Sequence, residues 1–229
     1  FLYAVGFVGG FVVPKTIDTG SESGVAVAIV IDLLLLSVFA VQHSVMARPL
    51  FKRWWTTIIP GAAERSTYVL ASSLLLFLLF WQWQPLPGIV WKVAEPAWAA
   101  VLWSLFGLGW LIVLISTVLI NHFDLFGLRQ VYLQFAGRPY TPITFQTPWL
   151  YRVVRHPIMV GFLIAFWATR TMSQGHLLFA AVVTANVIVA LQLEERDLVH
   201  FHGDSYSQYQ REVSMLLPLW RSERTGQDK

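Results

Sequence analysis

Long apolar runs broken by short polar stretches dominate the chain. Six stand out: Phe1–Val13, Gly24–Gln42, Ser66–Gln84, Ala97–Ile120, Pro157–Met172 and His176–Leu193. A membrane-spanning helix takes roughly 20 mostly apolar residues, so the pattern predicts an all-α integral membrane protein with about six transmembrane helices. The last two runs are short and separated only by Ser173, Gln174 and Gly175. They predict a tight helical hairpin followed by a cytoplasmic amphipathic tail; five spans plus a re-entrant hairpin is the alternative. The first run begins at Phe1 rather than at a Met, as the continuation of a longer helix would. No basic start with a small-residue cleavage pattern marks a secretory signal. Without internal repeats, the chain reads as one domain over 1–229. Helices fill 1–120, most polar motifs fall in 121–220, and 221–229 is a polar tail with the composition of a frayed end.

Charge turns the span pattern into a topology. Of 229 residues 56% are hydrophobic and 13% charged, with 16 Lys and Arg, 13 Asp and Glu, net charge +3 and no Cys. About 25% charged is usual for a soluble domain. The composition excludes disorder and a disulfide-stapled secreted domain, and its weak basic balance gives no support for a nucleic-acid partner. Arg48, Lys52, Arg53 and Arg65 share one loop, Arg129, Arg138, Arg152 and Arg155 another, and Arg196, Arg211, Arg221, Arg224 and Lys229 the tail. The alternate loops carry only Lys15 and Lys92. Six spans put the three basic segments on one side, which the positive-inside rule makes the cytoplasmic face of a bacterial-type inner membrane. Trp81, Trp83, Trp91 and Trp98 are then expected at the outer interface, and Trp54, Trp55, Trp149 and Trp220 at the inner one. His43, His122, His156, His200 and His202 fall on the cytoplasmic side, with His176 opposite. Asp32 lies well inside a span, nearer the outer face, where a structural hydrogen bond is expected of it. Arg170 is close enough to a helix end to snorkel.

Three runs in the second half carry the candidate chemistry. In Tyr151-Arg152-Val153-Val154-Arg155-His156-Pro157-Ile158-Met159-Val160-Gly161, Pro157 suits the first turn of a helix, whose free N–H groups with Arg155 and His156 form an anion site. Gly161, one turn on, leaves room for close approach. The plainer reading is a basic anchor before a membrane helix. Glu194 and Glu195, at the end of the last run, oppose a helix C-terminal dipole and so need a cationic partner. An ammonium group would serve, as would a salt bridge to Arg196 or a loop arginine. In Gly203-Asp204-Ser205-Tyr206-Ser207-Gln208-Tyr209-Gln210-Arg211, Tyr206 and Tyr209 share a helix face, to lid a site or to pack on the membrane surface.

Together these runs resemble the isoprenylcysteine carboxyl methyltransferase superfamily of membrane methyltransferases over about Tyr151 to Pro218. Further runs narrow the resemblance: Gln42-His43-Ser44-Val45-Met46-Ala47-Arg48, Glu64-Arg65-Ser66-Thr67-Tyr68, and Asn121-His122-Phe123-Asp124-Leu125-Phe126-Gly127. With them the chain is similar nearly throughout to the methanethiol S-methyltransferase branch, related to NnrU-like proteins. The resemblance implies S-adenosylmethionine as cofactor and methanethiol as substrate, methylated to dimethyl sulfide. It makes 121–220 the cofactor-binding half, with Arg155, His156, Met159 and Gly161 along the cofactor and Glu194 and Glu195 at its ammonium group. Tyr206, Tyr209 and Arg211 would cover it. Met159 stands where the family motif usually has Tyr, which removes a polar contact there.

Methyl transfer from a sulfonium is an in-line displacement that needs an aligned sulfur nucleophile and a dry site. The thiolate is the nucleophile, and a free thiol such as Cys ionises near about 8.5. A base is therefore useful. His122 is the first candidate, with Asp124 orienting it or pairing another cation; His43 is the second. Helix capping or pairing with a loop arginine is the plain alternative for each. Phe123, Leu125, Phe126 and Met159 are candidates for a small apolar pocket. No metal ligand set is expected. The competing functions are methylation of another thiol, a prenylcysteine or a lipid by the same fold, and a non-enzymatic haem, metal or transport protein using His43, His122 and His156. Oligomeric state is left open.

Overall fold

The computed structural model describes residues 1–20, 23–141 and 146–218. Trp220, Arg221, Arg224, Lys229 and the polar tail 221–229 lie outside the described residues. The α-helices are α1 (Leu2–Gly9), α2 (Val25–Ala47), α3 (Pro49–Trp55), α4 (Glu64–Gln82), α5 (Pro96–Ile120), α6 (His122–Leu125), α7 (Leu128–Phe135), α8 (Pro157–Trp167), α9 (Gln174–His202) and α10 (Asp204–Glu212). Four helical segments are long and apolar enough to cross a bilayer: 25–47, 61–82, 96–120 and 174–202. Their outward faces carry exposed apolar side chains, such as Leu34, Val41, Leu74, Phe77, Leu111 and Val118. In a bilayer those residues meet lipid tails, and helices satisfy their own backbone polar groups there.

The two short runs depart from the six-span pattern. In the first run, α1 ends at Gly10, in the left-handed region, short of Val13. In the fifth, α8 stops after 11 residues at Trp167 instead of reaching Met172. Residues Thr171–Ser173 form β2, antiparallel to β1 (Ile89–Lys92), so the fold is not purely helical. Apolar content alone could not separate these residues from a helix. The β-branched and aromatic run Ile89-Val90-Trp91 suits a strand, and pairing satisfies the backbone of the connection. A sheet strand therefore separates the two helices of the expected hairpin.

The aromatic core lies at the sheet end. Phe7, Phe80, Trp83, Phe106, Trp110, Phe166 and Phe179 form one buried cluster. Trp83, expected at the outer interface, is 0% exposed and donates its indole N–H to the Ile17 carbonyl at 3.1 Å. Trp81 and Trp98 are the exposed ones there. Asp32 is fully buried beside this core, and its Oδ1 accepts the Gln84 N–H at 2.9 Å. Its Oδ2 has no hydrogen-bond partner among the described residues. The Gln84 contact ties α2 to the chain after α4, so Asp32→Asn, which keeps the acceptor, is expected to hold both fold and activity. Asp32→Leu strands the Gln84 N–H and is expected to cost about 1–3 kcal/mol, read by thermal unfolding in detergent.

Halfway along, α5 and α8 approach backbone to backbone. A Cβ at Gly109 would lie 2.7 Å from the Gly161 carbonyl oxygen, and one at Gly161 would lie 2.6 Å from that of Gly109. Glycines at both positions allow this contact. The described parts of the three basic segments gather at the end away from the sheet. There Arg48 pairs with Asp197 at 2.9 Å, Arg65 Nε donates to the Leu125 carbonyl at 3.1 Å, and Arg155 meets α9.

Candidate functional site

Asn121 creates one half of the site. Its φ of 95° ends α5, and its side chain accepts the Asp124 N–H at 3.2 Å to start α6. The reversal brings the His122 ring back onto α5, with Nδ1 3.1 Å from the Thr117 hydroxyl oxygen. That hydroxyl donates its proton to the Leu114 carbonyl at 2.8 Å. His122 Nδ1 must then be the donor, which assigns the neutral ring the tautomer with an unprotonated Nε2. Phe126 packs on the ring at 4.6 Å between centroids and Phe123 meets it edge-on at 5.9 Å. Asp124 does not orient His122. Its Oδ1 accepts from Arg129 at 3.0 Å and its Oδ2 from the Tyr140 phenol at 3.2 Å. Of the two roles expected for Asp124, the structure gives it the other cation. Burial, then the Asp124 charge, pushes the Tyr140 phenol pKa up.

The other half is a knot around Glu195. Arg155 holds this carboxylate bidentately, Nε to Oε1 at 2.6 Å and Nη2 to Oε2 at 2.8 Å. His156 Nε2 lies 3.0 Å from Oε1, and the Gln210 amide donates to Oε2 at 2.9 Å. The Tyr206 phenol reaches Oε1 at 3.5 Å. Arg155 Nη1 also donates to the Gln210 carbonyl at 3.1 Å, while the Arg155 and His156 N–H groups bind the Ser214 and Met215 carbonyls. The segment after α10 is thereby stitched to the start of α8. Tyr206 and Tyr209 lie side by side at 5.7 Å between centroids, buried rather than lidding a surface. The Tyr209 hydroxyl donates to the Tyr151 carbonyl at 2.5 Å, and the Tyr151 hydroxyl to that of Ser116 at 3.4 Å. Burial pushes all three phenols up, Tyr209 to about 12, so they stay protonated donors. A chain of contacts thus runs from Glu195 through Tyr206, Tyr209 and Tyr151 to Ser116, next to the Thr117 that holds His122.

The structure redraws several sequence expectations. Helix α9 continues to His202, so Glu194 and Glu195 sit within it rather than at its C-terminus. Among the described residues the cationic partner, a guanidinium, goes to Glu195 alone. The Glu195 oxygens are taken by protein donors, whereas Glu194 is exposed and makes no hydrogen bond or ion pair among the described residues. The space on the Cβ side of Gly161 is filled by α5. Met159 is half-buried on α8, and Arg211 is exposed on α10. His43 stands apart: its Nε2 is 2.9 Å from the Tyr68 hydroxyl, its ring stacks on Phe39, and Ser72 lies at 3.4 Å. His43, His122 and His156 therefore have separate partners, and among the described residues no three His, Asp or Glu side chains could share a metal ion. Gln210 and Thr117 were missed. Gln210 had a signal, one helical turn after Tyr206 on the same face. Thr117 had none, because its contact depends on the reversal at Asn121.

A bundle of membrane-length helices with an arginine–glutamate knot and a supported histidine at one end defines a polytopic membrane protein with a polar site at its rim. Residues 32–215 match the NnrU protein family, and the chain belongs to it. It is 59% identical over 225 residues, 98% of this chain and 92% of the other, to a methanethiol S-methyltransferase of Mycobacterium tuberculosis. It is 55% identical over 232 residues, 100% of this chain and 88% of the other, to methanethiol S-methyltransferase 2 of Bradyrhizobium diazoefficiens. No solved structure matches.

Proposed function

We propose that this chain is an S-adenosylmethionine-dependent membrane methyltransferase that converts methanethiol to dimethyl sulfide at the cytoplasmic face of a bacterial-type inner membrane. Near-full-length identity to proteins named for that activity carries the reading. The donor set fits the cofactor. Glu194 offers an uncommitted carboxylate to an ammonium group, next to a Glu195 whose position is fixed by Arg155, His156 and Gln210. When bound, S-adenosylmethionine supplies a sulfonium-activated methyl group that the thiol sulfur takes in one displacement.

The chain's own residues handle the thiol. His122 Nε2 takes its proton, because Thr117 keeps the ring proton on Nδ1. A positioned base of this kind contributes roughly 10²–10⁴-fold. Phe123 and Phe126 give the ring apolar neighbours suited to a substrate with only a methyl group to recognise. Gly161 acts at a distance by holding α8 against α5, and the buried tyrosines keep α10 on α9.

The test is direct. Detergent-purified chain supplied with methanethiol and S-adenosylmethionine is expected to release dimethyl sulfide into the headspace. Glu194→Gln is expected to weaken calorimetric binding of S-adenosylhomocysteine about ten-fold, equal to about 1.4 kcal/mol. Turnover of a prenylcysteine without turnover of methanethiol would overturn the substrate assignment. Unchanged affinity in Glu194→Gln would remove that carboxylate from the site.

A further inference from the structure

A second polar site lies beside the first. A cavity of about 430 Å³ opens between the start of α4 and helix α7, lined among others by Lys52, Glu64, Arg65, Gln130, Arg138 and Tyr140. Asp124 is on its wall but is already neutralised by Arg129. Lys52, Arg65 and Arg138 form no ion pair within 4 Å among the described residues, which leaves three cations around Glu64, with Asp197 a second carboxylate whose charge reaches Lys52. Arg65 is pre-aimed: its Nε is spent on the Leu125 carbonyl, and its terminal nitrogens make no hydrogen bond among the described residues. That leaves a donor fork of the shape that grips phosphate oxygens. Burial holds the Lys52 ammonium below its ordinary pKa, a cost that an adjacent anion would offset. Gln130 adds the opposite polarity. Its amide nitrogen donates to the Asp124 carbonyl at 3.1 Å, and its buried Oε1 has no donor among the described residues.

The helices around the cavity set its depth. On α3, Leu50 and Trp54 are exposed, and Trp belongs at the headgroup level of a membrane. On α7, Gln130 and Gln134 line the cavity, while Val131 and Phe135, the latter 91% exposed, point outward. Such a helix lies in the interface with its apolar face toward the acyl chains. The cavity therefore opens where lipid headgroups are, at the basic end of the bundle. The methionine end of S-adenosylmethionine is itself net cationic and does not complement this wall.

We propose that this cavity binds the headgroup of an anionic phospholipid of the phosphoglycerol type. Lys52, Arg65 and Arg138 take the phosphate, and a glycerol hydroxyl donates to Gln130 Oε1. The site is independent of the methyl-transfer reading.

Native mass spectrometry of the full chain in mild detergent tests it, with phosphatidylglycerol, phosphatidylcholine and inorganic phosphate added separately. Phosphatidylglycerol is expected to be retained at least about ten-fold better than phosphatidylcholine. Lys52→Gln and Arg138→Gln, made singly and together, are expected to erase most of that preference. Arg53→Gln, outside the cavity, is expected to change it less than about two-fold. Because Arg138 is exposed, Arg138→Gln is the variant whose folding is not at issue. Equal retention of the two lipids, unchanged preference in both cavity variants, or an equal loss in Arg53→Gln would each overturn the proposal. So would saturation by inorganic phosphate at the lipid concentration, which would make the site one for a free anion.

Discussion

Replacing Glu195 with alanine is expected to abolish dimethyl sulfide release and to lower stability by about 3–5 kcal/mol, because it leaves a buried guanidinium without its counter-charge. Arg155 and Glu195 have side chains only 8% and 12% exposed. The loss does not stop at one ion pair. His156 and Gln210 give up their shared acceptor, and Arg155, held by the Gln210 and Val213 carbonyls, cannot leave for water without releasing the segment after α10. The paired replacement Arg155→Met with Glu195→Met separates architecture from chemistry. An apolar pair of similar size is expected to recover most of the stability, as removing both members of a buried pair often does. Activity is expected to stay absent, since Glu194 and His156 would no longer be held in place. Thermal unfolding in detergent, read beside the headspace assay, distinguishes the two. A double variant that recovers both would reduce the knot to a brace.

The second large effect is expected at Gly161. Valine there brings carbon atoms to within van der Waals overlap of the Gly109 carbonyl oxygen and the Val113 backbone nitrogen, 2.6 and 2.9 Å from the first added atom. Backbone cannot rotate away as a side chain can, so α5 and α8 must separate. Overpacking typically costs about 1–3 kcal/mol, and a backbone clash belongs at or above the top of that range. Gly107→Ala is the control two residues from Gly109. A Cβ there meets nothing within 4 Å, and alanine gains up to about 1 kcal/mol of helix propensity. A lower melting temperature for Gly161→Val with an unchanged or higher one for Gly107→Ala is the expected pair of results.

The sequence made the long helices legible because length and continuous apolarity suffice to define a span. The short elements were not legible. Residues 168–173 follow an apolar helix with no proline or glycine to end it, and pairing with Ile89–Lys92 across the gap makes a strand of Thr171–Ser173. Trp83 looked like its neighbour Trp81, and nothing local says that α1 and α9 cover one and not the other. At the site, the residue types were readable and their partners were not. A salt bridge to a loop arginine was one of two readings open for Glu194 and Glu195. The structure pairs Glu195 with Arg155 and adds His156, but which glutamate pairs and with which arginine was not readable. That distinction depends on α9 running past the end of its apolar stretch. Asp124 shows the same limit: its need for a cation was readable, its choice of Arg129 over His122 was not.

Helix α9 also acts as a ruler. It starts at Gln174, directly after β2, and reaches Glu195 without interruption, a rise of roughly 32 Å at 1.5 Å per residue. The sheet at one end thus fixes the angular setting of a carboxylate at the other. One residue more along that stretch turns the far end by about 100° and delivers Glu194 to the position facing Arg155, with the charge preserved. One residue fewer delivers Arg196, and a cation would face a cation. The doubled glutamate is therefore a register mark with tolerance in one direction only.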